Sequence, residues 1–377
     1  MRVPLLAVLA VAAATAGCSS AKSAQPAIQV SVSHCGQGWS HPHSGQQTLQ
    51  ISNTGDSPAE AYVVEVPGGQ VYGELENLAP GTTRALEVTL GGGRYAIRCV
   101  PDGSDPITGP IVRISGPART GTGFAPISDN DLYGPAKTYQ AYVTRGLVEL
   151  AARTDALARA VAGGDLGAAR TAWLPAHLAY ERLGAAYGAF GDFDGEINGR
   201  PDGLPKGVAD PDFTGFHRVE YGLWHGEPAA SLKGPAGKLA AAVRGLQADF
   251  LKEQVDPADL GLRAHEILEG TMRFELSGEA DQGSGTSLAT AAANIDGTRE
   301  VLGVLRPLLV SRYPGLPGTD AALARLDRLL ADQQRGGTWT PVDRLSVTDR
   351  QRLDAAAGDA VERLAPVATI CASRRTT

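Results

Sequence analysis

The sequence predicts a multidomain chain of β-then-α architecture, in which a small N-terminal β-sandwich precedes an all-α helical-bundle domain. Short apolar runs of alternating polarity fill residues 27–116, whereas apolar residues recur at helical spacing over residues 128–370. Between these regions, residues 117–127 are rich in Gly, Pro and Thr, which is typical of a linker. The chain has 377 residues, 43% of them hydrophobic, which is enough for two separate cores.

The first residues have the layout of an export signal. Arg2 precedes an apolar run at 3–14 that is too short to span a bilayer. Thr15-Ala16-Gly17-Cys18 follows and resembles a bacterial lipobox. We therefore predict a signal peptide at 1–17, lipidation of Cys18 and a tether at 18–26; ordinary secretory cleavage is the alternative. The lipid would hold an exported protein at the cell membrane, facing the periplasm or the cell exterior.

Alternating apolar residues and turn signals define the strands of the sandwich. The turn signals are Asn53-Thr54-Gly55, Ala79-Pro80-Gly81 and Gly91-Gly92-Gly93. The predicted strands lie at 28–32, 49–51, 62–66, 86–90, 95–99 and 111–113.

The second region has helical periodicity and recognisable helix ends. Ser287 and Ser346 are predicted N-caps, and Asp256-Pro257 is a predicted helix start. Gly163-Gly164 and Gly336-Gly337 are predicted stops. The predicted helices lie at 133–162, 166–189, 214–225, 236–253, 257–275, 287–310, 319–334 and 347–365. The long polar connection at 191–213 is of a kind that often has a function.

The composition excludes several classes of protein. A net charge of −7 and a pI near 5.6 argue against a nucleic-acid binder, which normally has a basic face. Four cysteines are too few for a disulfide scaffold of this length. The cysteine nearest the C-terminus, Cys371, has no obvious partner and is expected to be a free thiol near a frayed end.

Imidazole and carboxylate side chains recur at helical spacing. His177 and Glu181 share one helix face, and His217 and Glu220 share another. Glu266 and Glu269 repeat the spacing, while Asp192 and Asp194 follow the second helix. Helical bundles build metal sites in this way from facing helices. Such ligands suit iron, manganese or zinc, although each pair alone could equally be a solvated pair or a buried structural histidine.

Several enzyme motifs are absent. No HExxH is present, because the nearest run, from His265 to Glu269, ends in Glu. The sequence also lacks the GxSxG elbow of α/β hydrolases and the GxxxxGK[ST] phosphate loop. Gly283-Ser284-Gly285-Thr286-Ser287 precedes a helix, where it could bind an anion or act as a flexible loop that caps the helix.

Three longer runs resemble the imelysin-like helical domain of the EfeO family. They are WLPAHLAYERLGAAYGAFGDFDGEINGRPDGL from Trp173, DPDFTGFHRVEYGLWHG from Asp210 and HEILEGTMRFELSGEADQGSGTSLATAAANIDGTREVL from His265. GFHRVE matches the family's GxHxxE signature with His217 and Glu220. The N-terminal region is similar to the cupredoxin-like domain that precedes the helical domain in longer members. The resemblance thus covers nearly the whole chain.

The resemblance implies an extracytoplasmic iron-binding component of an EfeUOB-type iron uptake system. The expected partners are a ferrous-iron-type membrane permease and a Dyp-type haem peroxidase. The implied iron ligands in the helical domain are His217, Glu220, Glu181, Asp194 and Glu266. Glu269 could replace Glu266, and His177 is a neighbour that we do not expect to be a general ligand. The oxidation state of the iron, Fe²⁺ or Fe³⁺, is left open.

The sandwich needs a separate interpretation. An ordinary blue-copper centre is disfavoured, because Met272 is the only methionine after the initiator and no histidine lies between Cys99 and the helical domain. Cys35 and Cys99 could form a disulfide in an exported protein. The resemblance implies the alternative, a second metal site with Cys35, Glu60 and Cys99, so that the sandwich would hold either copper or no metal. His34, His41 and His43 lie close enough in sequence to supplement it.

Other functions remain as alternatives to iron capture. An imelysin-like metallopeptidase would need a general base beside an open metal site. A polysaccharide-binding lipoprotein could use Trp173, Tyr180, Tyr187 and Trp224 as stacking platforms, although their helical spacing favours a core role. A ferroxidase would need a redox metal in the sandwich.

Overall fold

The computed structural model describes residues 26–117 and 123–375. The predicted signal peptide, the lipidation site Cys18, most of the tether and linker residues 118–122 lie outside the described residues. The chain divides into two compact units, Met1–Gly123 and Phe124–Thr377. This boundary lies inside the linker predicted at 117–127.

The first unit is built from two β-sheets. Its strands are β1 Ile28–Val30, β2 Gly45–Asn53, β3 Ala59–Glu65, β4 Val71–Leu78, β5 Thr83–Leu90, β6 Gly93–Pro101, β7 Ile107–Thr108 and β8 Val112–Ile114. One sheet has the order β1-β2-β5, and the other has the order β4-β3-β6-β7 with β8 also paired to β6. Residues of both sheets, among them Ile51 and Ile97, share one apolar core. The β region is therefore confirmed, and its cupredoxin-like character stays a prediction.

Strand β4 is the one long strand that the alternating pattern missed. Its buried residues are Val71, Leu75 and Leu78, which are four and three positions apart. The pairing of β3 with β4 contains two register shifts, and each shift moves the buried side of β4 by one residue. An irregular strand of this kind has no period of two in its sequence.

A disulfide joins Cys35 and Cys99. Cys99 lies on β6, between β3 and β7, and Cys35 precedes β2 and bridges to Val30 of β1. Both cysteines are buried in the core of the sheets. The bond therefore links the segment after β1 to the centre of the larger sheet.

The second unit is helical. Its helices are α1 Asp129–Ala162, α2 Leu166–Glu181, α3 Asp192–Asn198, α4 Gly215–Trp224, α5 Ala229–Asp249, α6 Asp259–Gly270, α7 Ser287–Leu309, α8 Leu316–Ala331 and α9 Val347–Cys371. α1 packs against α2 and α5, and α9 packs against α6 and α8. A single core cluster includes residues from every one of these helices. Among the described residues, no helix has both the length and the apolarity needed to cross a membrane.

Several predicted helix bounds need correction. The segment predicted as one helix at 166–189 is α2 followed by a 3-10 helix, Gly184–Ala189, and the connection at 191–213 contains α3. Helix α5 begins at Ala229 and continues through Pro235, whereas the predicted helix begins only at residue 236. Gly336 and Gly337 do not stop a helix; both have positive φ and form the turn between two short strands, Gln334–Arg335 and Thr338–Trp339.

Helix ends were predicted more accurately elsewhere. The hydroxyl of Ser346 caps α9 by accepting a hydrogen bond from the Asp349 amide. Helix α1 ends at Ala162, before the predicted stop Gly163-Gly164, and Gly164 has a φ of +80°. The prediction of Ser287 as an N-cap was wrong by one residue, because Thr286 occupies the N-cap position and Ser287 is the first residue of α7.

Cys371 is a free cysteine, as predicted, but it does not lie at a frayed end. It is the last residue of α9 and is fully buried against α6, where a Cβ atom at Gly261 would lie 2.4 Å from the Cys371 Cβ. Burial raises the pKa of its thiol to about 11. The thiol is therefore a packing group of the α6–α9 contact.

We predict that replacing both Cys35 and Cys99 with Ser destabilises the first unit. Closing a loop with a sequence separation of 64 residues lowers the entropy of the unfolded chain, and the loss is about 4 kcal/mol. Calorimetry of the full exported chain should show a lower unfolding temperature for the β unit. The unfolding temperature of the helical unit should not change, and it is the internal control. A parallel thiol titration of denatured wild-type chain starting at residue 26 should find only Cys371 reactive. Three reactive thiols would contradict the disulfide.

Candidate functional site

Buried polar residues converge on a cavity of about 290 Å³ inside the helical unit. Four of the predicted iron ligands line it: Glu181, Asp194, His217 and Glu266. Other polar residues in its wall were not predicted: Asn198, Arg200, Arg263, Thr271, Glu275 and Asn294. The cavity therefore collects acidic, imidazole, amide and guanidinium groups from α2, α3, α4, α6 and α7 and the segments beside them.

Glu181 is the last residue of α2 and is held by two polar neighbours. Its Oε1 lies 3.0 Å from His177 Nε2, one turn earlier on the helix, and accepts a hydrogen bond of 2.8 Å from Asn198 Nδ2. Burial opposes ionisation of Glu181, but the hydrogen bonds from His177 and Asn198 outweigh it and lower the pKa of this carboxyl. Glu181 is therefore a buried carboxylate that faces the cavity.

His177 lies behind Glu181 and does not line the cavity. Its ring packs against Trp173 and Phe216, at centroid distances of 4.8 Å and 5.2 Å, and its Nε2 is 3.2 Å from Asn198 Oδ1. Burial lowers its pKa, but contact with Glu181 outweighs burial and the net shift is upward. His177 thus contacts Glu181 from behind the cavity wall, and the expectation that it is not itself a general ligand stays a prediction.

Asp194 reaches the cavity from α3. Gly191, with a φ of +55°, immediately precedes this short helix and turns the chain into it. The Tyr180 hydroxyl donates a hydrogen bond to Asp194, and burial raises the pKa of the Asp194 carboxyl. Its sequence neighbour Asp192 is exposed and does not line this cavity.

The GxHxxE segment forms the first turns of α4, and its glycine has a clear steric role. Gly215 has a φ of +77°, and a Cβ there would lie 2.3 Å from the carbonyl oxygen of Ile197 in α3. Glycine therefore lets the start of α4 approach the end of α3. This contact brings His217 close to Asn198 and Glu181 at the cavity wall.

Glu220 holds His217 from the side away from the cavity. Its Oε2 lies 3.4 Å from His217 Nδ1, and its Oε1 accepts hydrogen bonds of 3.1 Å from the amides of Gln282 and Ser284. Glu220 does not line the cavity. His217 Nε2 is left without a hydrogen-bond partner among the described residues. The structure thus assigns the two motif residues different positions, one facing the cavity and one behind it.

The Gly/Ser-rich loop before α7 binds carboxylates of the protein itself. Besides the two amides that bind Glu220, the amides of Gly283 and Thr286 donate to Asp281, at 2.7 Å and 3.0 Å. The prediction left open an external anion or a helix-capping loop. The structure shows a loop whose amides donate to Asp281 and Glu220. Thr286 of this loop occupies the N-cap position of α7 but makes no side-chain capping hydrogen bond.

Helix α6 supplies Glu266 but not Glu269. Glu266 lines the cavity, whereas Glu269 is exposed. The Glu266 Oε2 accepts a hydrogen bond of 2.8 Å from Arg263 Nη1. A cation that bound Glu266 through this oxygen would have to displace the Arg263 guanidinium.

Glu275 is the acidic residue that sequence analysis missed. It lies in a π-helical turn, Thr271–Glu275, that continues α6 into the cavity wall. Burial, together with the nearby carboxylates of Glu181 and Glu220, raises its pKa well above the ordinary value. The π turn inserts an extra residue, so Glu275 is out of step with the i, i+3 and i+4 positions used in the prediction. A lone glutamate in the run Met272-Arg273-Phe274-Glu275-Leu276 was the available signal.

The cavity acids are not arranged as a finished coordination sphere. In the described part of the chain, no group of three or more His, Cys, Asp or Glu side chains has a geometry ready to hold a metal ion. Each predicted carboxylate is instead engaged by a neighbour: Glu181 by Asn198, Asp194 by Tyr180 and Glu266 by Arg263. Binding an ion would require these hydrogen bonds to be exchanged for metal contacts.

The second predicted metal site is not assembled in the β unit. Cys35 and Cys99 form the disulfide, so neither sulfur is a thiolate. Ala61 is paired with Cys99 and Glu60 with Val100, which places Glu60 on the opposite face of β3 from Cys99. Glu60 instead accepts a hydrogen bond from the Tyr62 hydroxyl. His34, His41 and His43 are exposed, and no metal-holding group within residues 26–117 and 123–375 involves them.

Comparisons with known proteins match both the helical unit and most of the chain. The imelysin family model, which carries a peptidase name, matches residues 135–366. The protein named "Iron uptake system component EfeO" of Yersinia pseudotuberculosis serotype I (strain IP32953) is 30% identical over 314 residues, which cover 82% of this chain and 81% of the relative. The protein of the same name from Escherichia coli (strain K12) is 29% identical over 316 residues, covering 82% of each chain.

The imelysin match spans every residue that lines the cavity, from Glu181 to Asn294. The similarity to the EfeO proteins extends over four-fifths of the chain. On both grounds, this chain belongs to the EfeO family of imelysin-domain proteins.

Proposed function

We propose that this protein is an extracytoplasmic component of an iron uptake system, which captures iron in the cavity of the helical unit and passes it to a membrane permease. The observation that carries the proposal is the cavity itself, where one unpartnered imidazole nitrogen and several buried carboxyls face the same space. Oxygen and imidazole ligands of this kind suit iron. The names of the curated relatives support the same role.

In this proposal the cavity residues have distinct tasks. His217 Nε2, Glu181, Asp194 and Glu275 contact the iron, and Glu266 joins them once Arg263 releases it. Glu220 orients His217, as carboxylates commonly orient metal-binding histidines. The same arrangement favours hand-over, because each released carboxylate can return to its protein hydrogen-bond partner. Movement of α3 and the connection at 191–213, which carry Asp194, is our hypothesis for the release step.

The cellular setting is also part of the proposal. The export signal and Cys18 would place the protein outside the cytoplasm, anchored by lipid, beside a ferrous-iron-type permease and a Dyp-type haem peroxidase. The oxidation state at capture, Fe²⁺ or Fe³⁺, would depend on those partners.

The structure favours binding over peptidase catalysis. A metallopeptidase would need a carboxylate free to accept a proton from a metal-bound water. Glu220, the motif carboxylate, is buried and engaged by two backbone amides and by His217. A polysaccharide platform is also disfavoured, because Trp173 and Tyr180 are fully buried in the core. A ferroxidase stays an alternative that needs a redox metal in the β unit.

We predict that His217→Ala lowers the affinity for Fe²⁺ by at least about 100-fold, and that His217→Ala with Glu220→Ala abolishes stoichiometric binding, since the imidazole ligand is lost. Anaerobic calorimetric titration would measure both, with circular dichroism to show that the helices remain. His225→Ala is the matched control, because His225 is exposed at the end of α4 and does not line the cavity. Unchanged affinity in the double variant would refute this site.

A second prediction separates ligands from orienting residues. Glu275→Gln should weaken Fe²⁺ binding strongly, because it replaces a contacting carboxylate, while Glu220→Gln should cost about 10- to 100-fold, as expected for an outer partner of a metal-binding histidine. Glu279→Gln, which changes an exposed glutamate nearby, should have no effect. The same calorimetric titration applies. If Glu275→Gln binds iron like the wild type, Glu275 is not a ligand.

A further inference from the structure

Two arginines line a cavity that the proposed function assigns to a cation. Arg200 lies just after α3, and Arg263 lies on α6. Guanidinium groups stay charged at all physiological pH values and repel a bare metal ion. Their presence among the carboxyls therefore requires a separate explanation.

Arg200 is held in place but its hydrogen-bond donors are unused. Its Cζ lies 3.4 Å from the centre of the Phe274 ring, which also lines the cavity. Such a contact uses the face of the guanidinium and leaves the N–H groups at its edge available. Among the described residues, Arg200 has no ion-pair or hydrogen-bond partner. It is an oriented, partly buried cation without an anion.

Arg263 has a second unused donor in the same wall. Its Nη1 donates a hydrogen bond to Glu266 and its Nη2 lies 3.8 Å from Asp259 Oδ2, but its Nε is buried and has no acceptor among the described residues. Buried N–H groups nearly always have a partner, so an unpaired one on a residue that lines a cavity indicates a missing acceptor. Arg200 and Arg263 thus both point to an anion in the cavity.

The size and charge of the cavity agree with this interpretation. A volume of about 290 Å³ corresponds to roughly ten water molecules, which is more than one metal ion needs. The wall also carries groups of both charge types, with the guanidiniums of Arg200 and Arg263 beside the carboxyls of Glu181, Asp194, Glu266 and Glu275. Such a wall can hold a cation and an anion together, because each ion finds groups of the opposite charge.

We propose that the cavity binds iron together with a small carboxylate anion, which coordinates the metal and is held by Arg200 and Arg263. This inference rests on the proposed function and specifies its substrate as an iron carboxylate complex. Carboxylate is the favoured class because its two oxygens match the paired N–H groups of a guanidinium and are also hard ligands for iron.

The test measures citrate binding to the full exported chain by calorimetry, with and without Fe²⁺ under anaerobic conditions. Citrate should bind the iron-loaded protein at least about tenfold more tightly than the iron-free protein. Arg200→Gln should weaken citrate binding by at least about tenfold, as expected for loss of charge-assisted hydrogen bonds. Arg263→Gln should also weaken it. Arg145→Gln, an exposed arginine on α1 outside the cavity, is the matched control and should behave like the wild type.

Titration with Fe²⁺ alone, in buffer without carboxylates, separates this inference from the proposed function. If Fe²⁺ binds and citrate has no effect on the wild type, the carboxylate inference is overturned and iron capture stands. If citrate binds through Arg200 but neither Fe²⁺ nor Fe³⁺ binds, the proposed function fails and only the anion site remains. Inorganic phosphate is the third probe, and binding of phosphate as tight as that of citrate would overturn the assignment to carboxylates.

Discussion

The helical unit depends on one buried carboxylate, that of Glu220. Two backbone amides of the loop before α7 and the imidazole of His217 surround it, at 3.1 Å, 3.1 Å and 3.4 Å. A buried charge is costly unless it is paired and hydrogen-bonded, and here those contacts outweigh the cost of burial and lower the pKa of Glu220. The same contacts tie α4 to the start of α7 and fix the ring of His217. One interaction therefore stabilises the packing and orients the site.

Carboxyls that line the cavity are also held by hydrogen bonds, although by fewer than Glu220. Glu181, Asp194 and Glu266 each accept a hydrogen bond from a neighbouring donor, so these three carboxyls already have protein partners. Such a site gains less free energy from binding an ion than a rigid cage of ligands would, because its protein hydrogen bonds must be broken first. That property agrees with the release step of the proposed function.

The β unit obeys a different constraint. Its two short sheets share a small core, and the Cys35–Cys99 disulfide closes it covalently. The pleat of β3 places Glu60 on the opposite face of the strand from Cys99, so these possible ligands do not converge on one site. The functional chemistry that the structure supports therefore lies in the helical unit.

Local sequence patterns were sufficient to predict the order of a β region and a helical region, the positions of most helices and the pairs His177–Glu181 and His217–Glu220. These features depend on local periodicity, which is written in neighbouring residues. Tertiary structure decided which of those residues face the cavity, because that depends on contacts such as Gly215 against Ile197. It also brought in Glu275 through a π turn and Arg200 through a loop, neither of which has a periodic signal. Long-range packing, which no local pattern records, set the composition of the site.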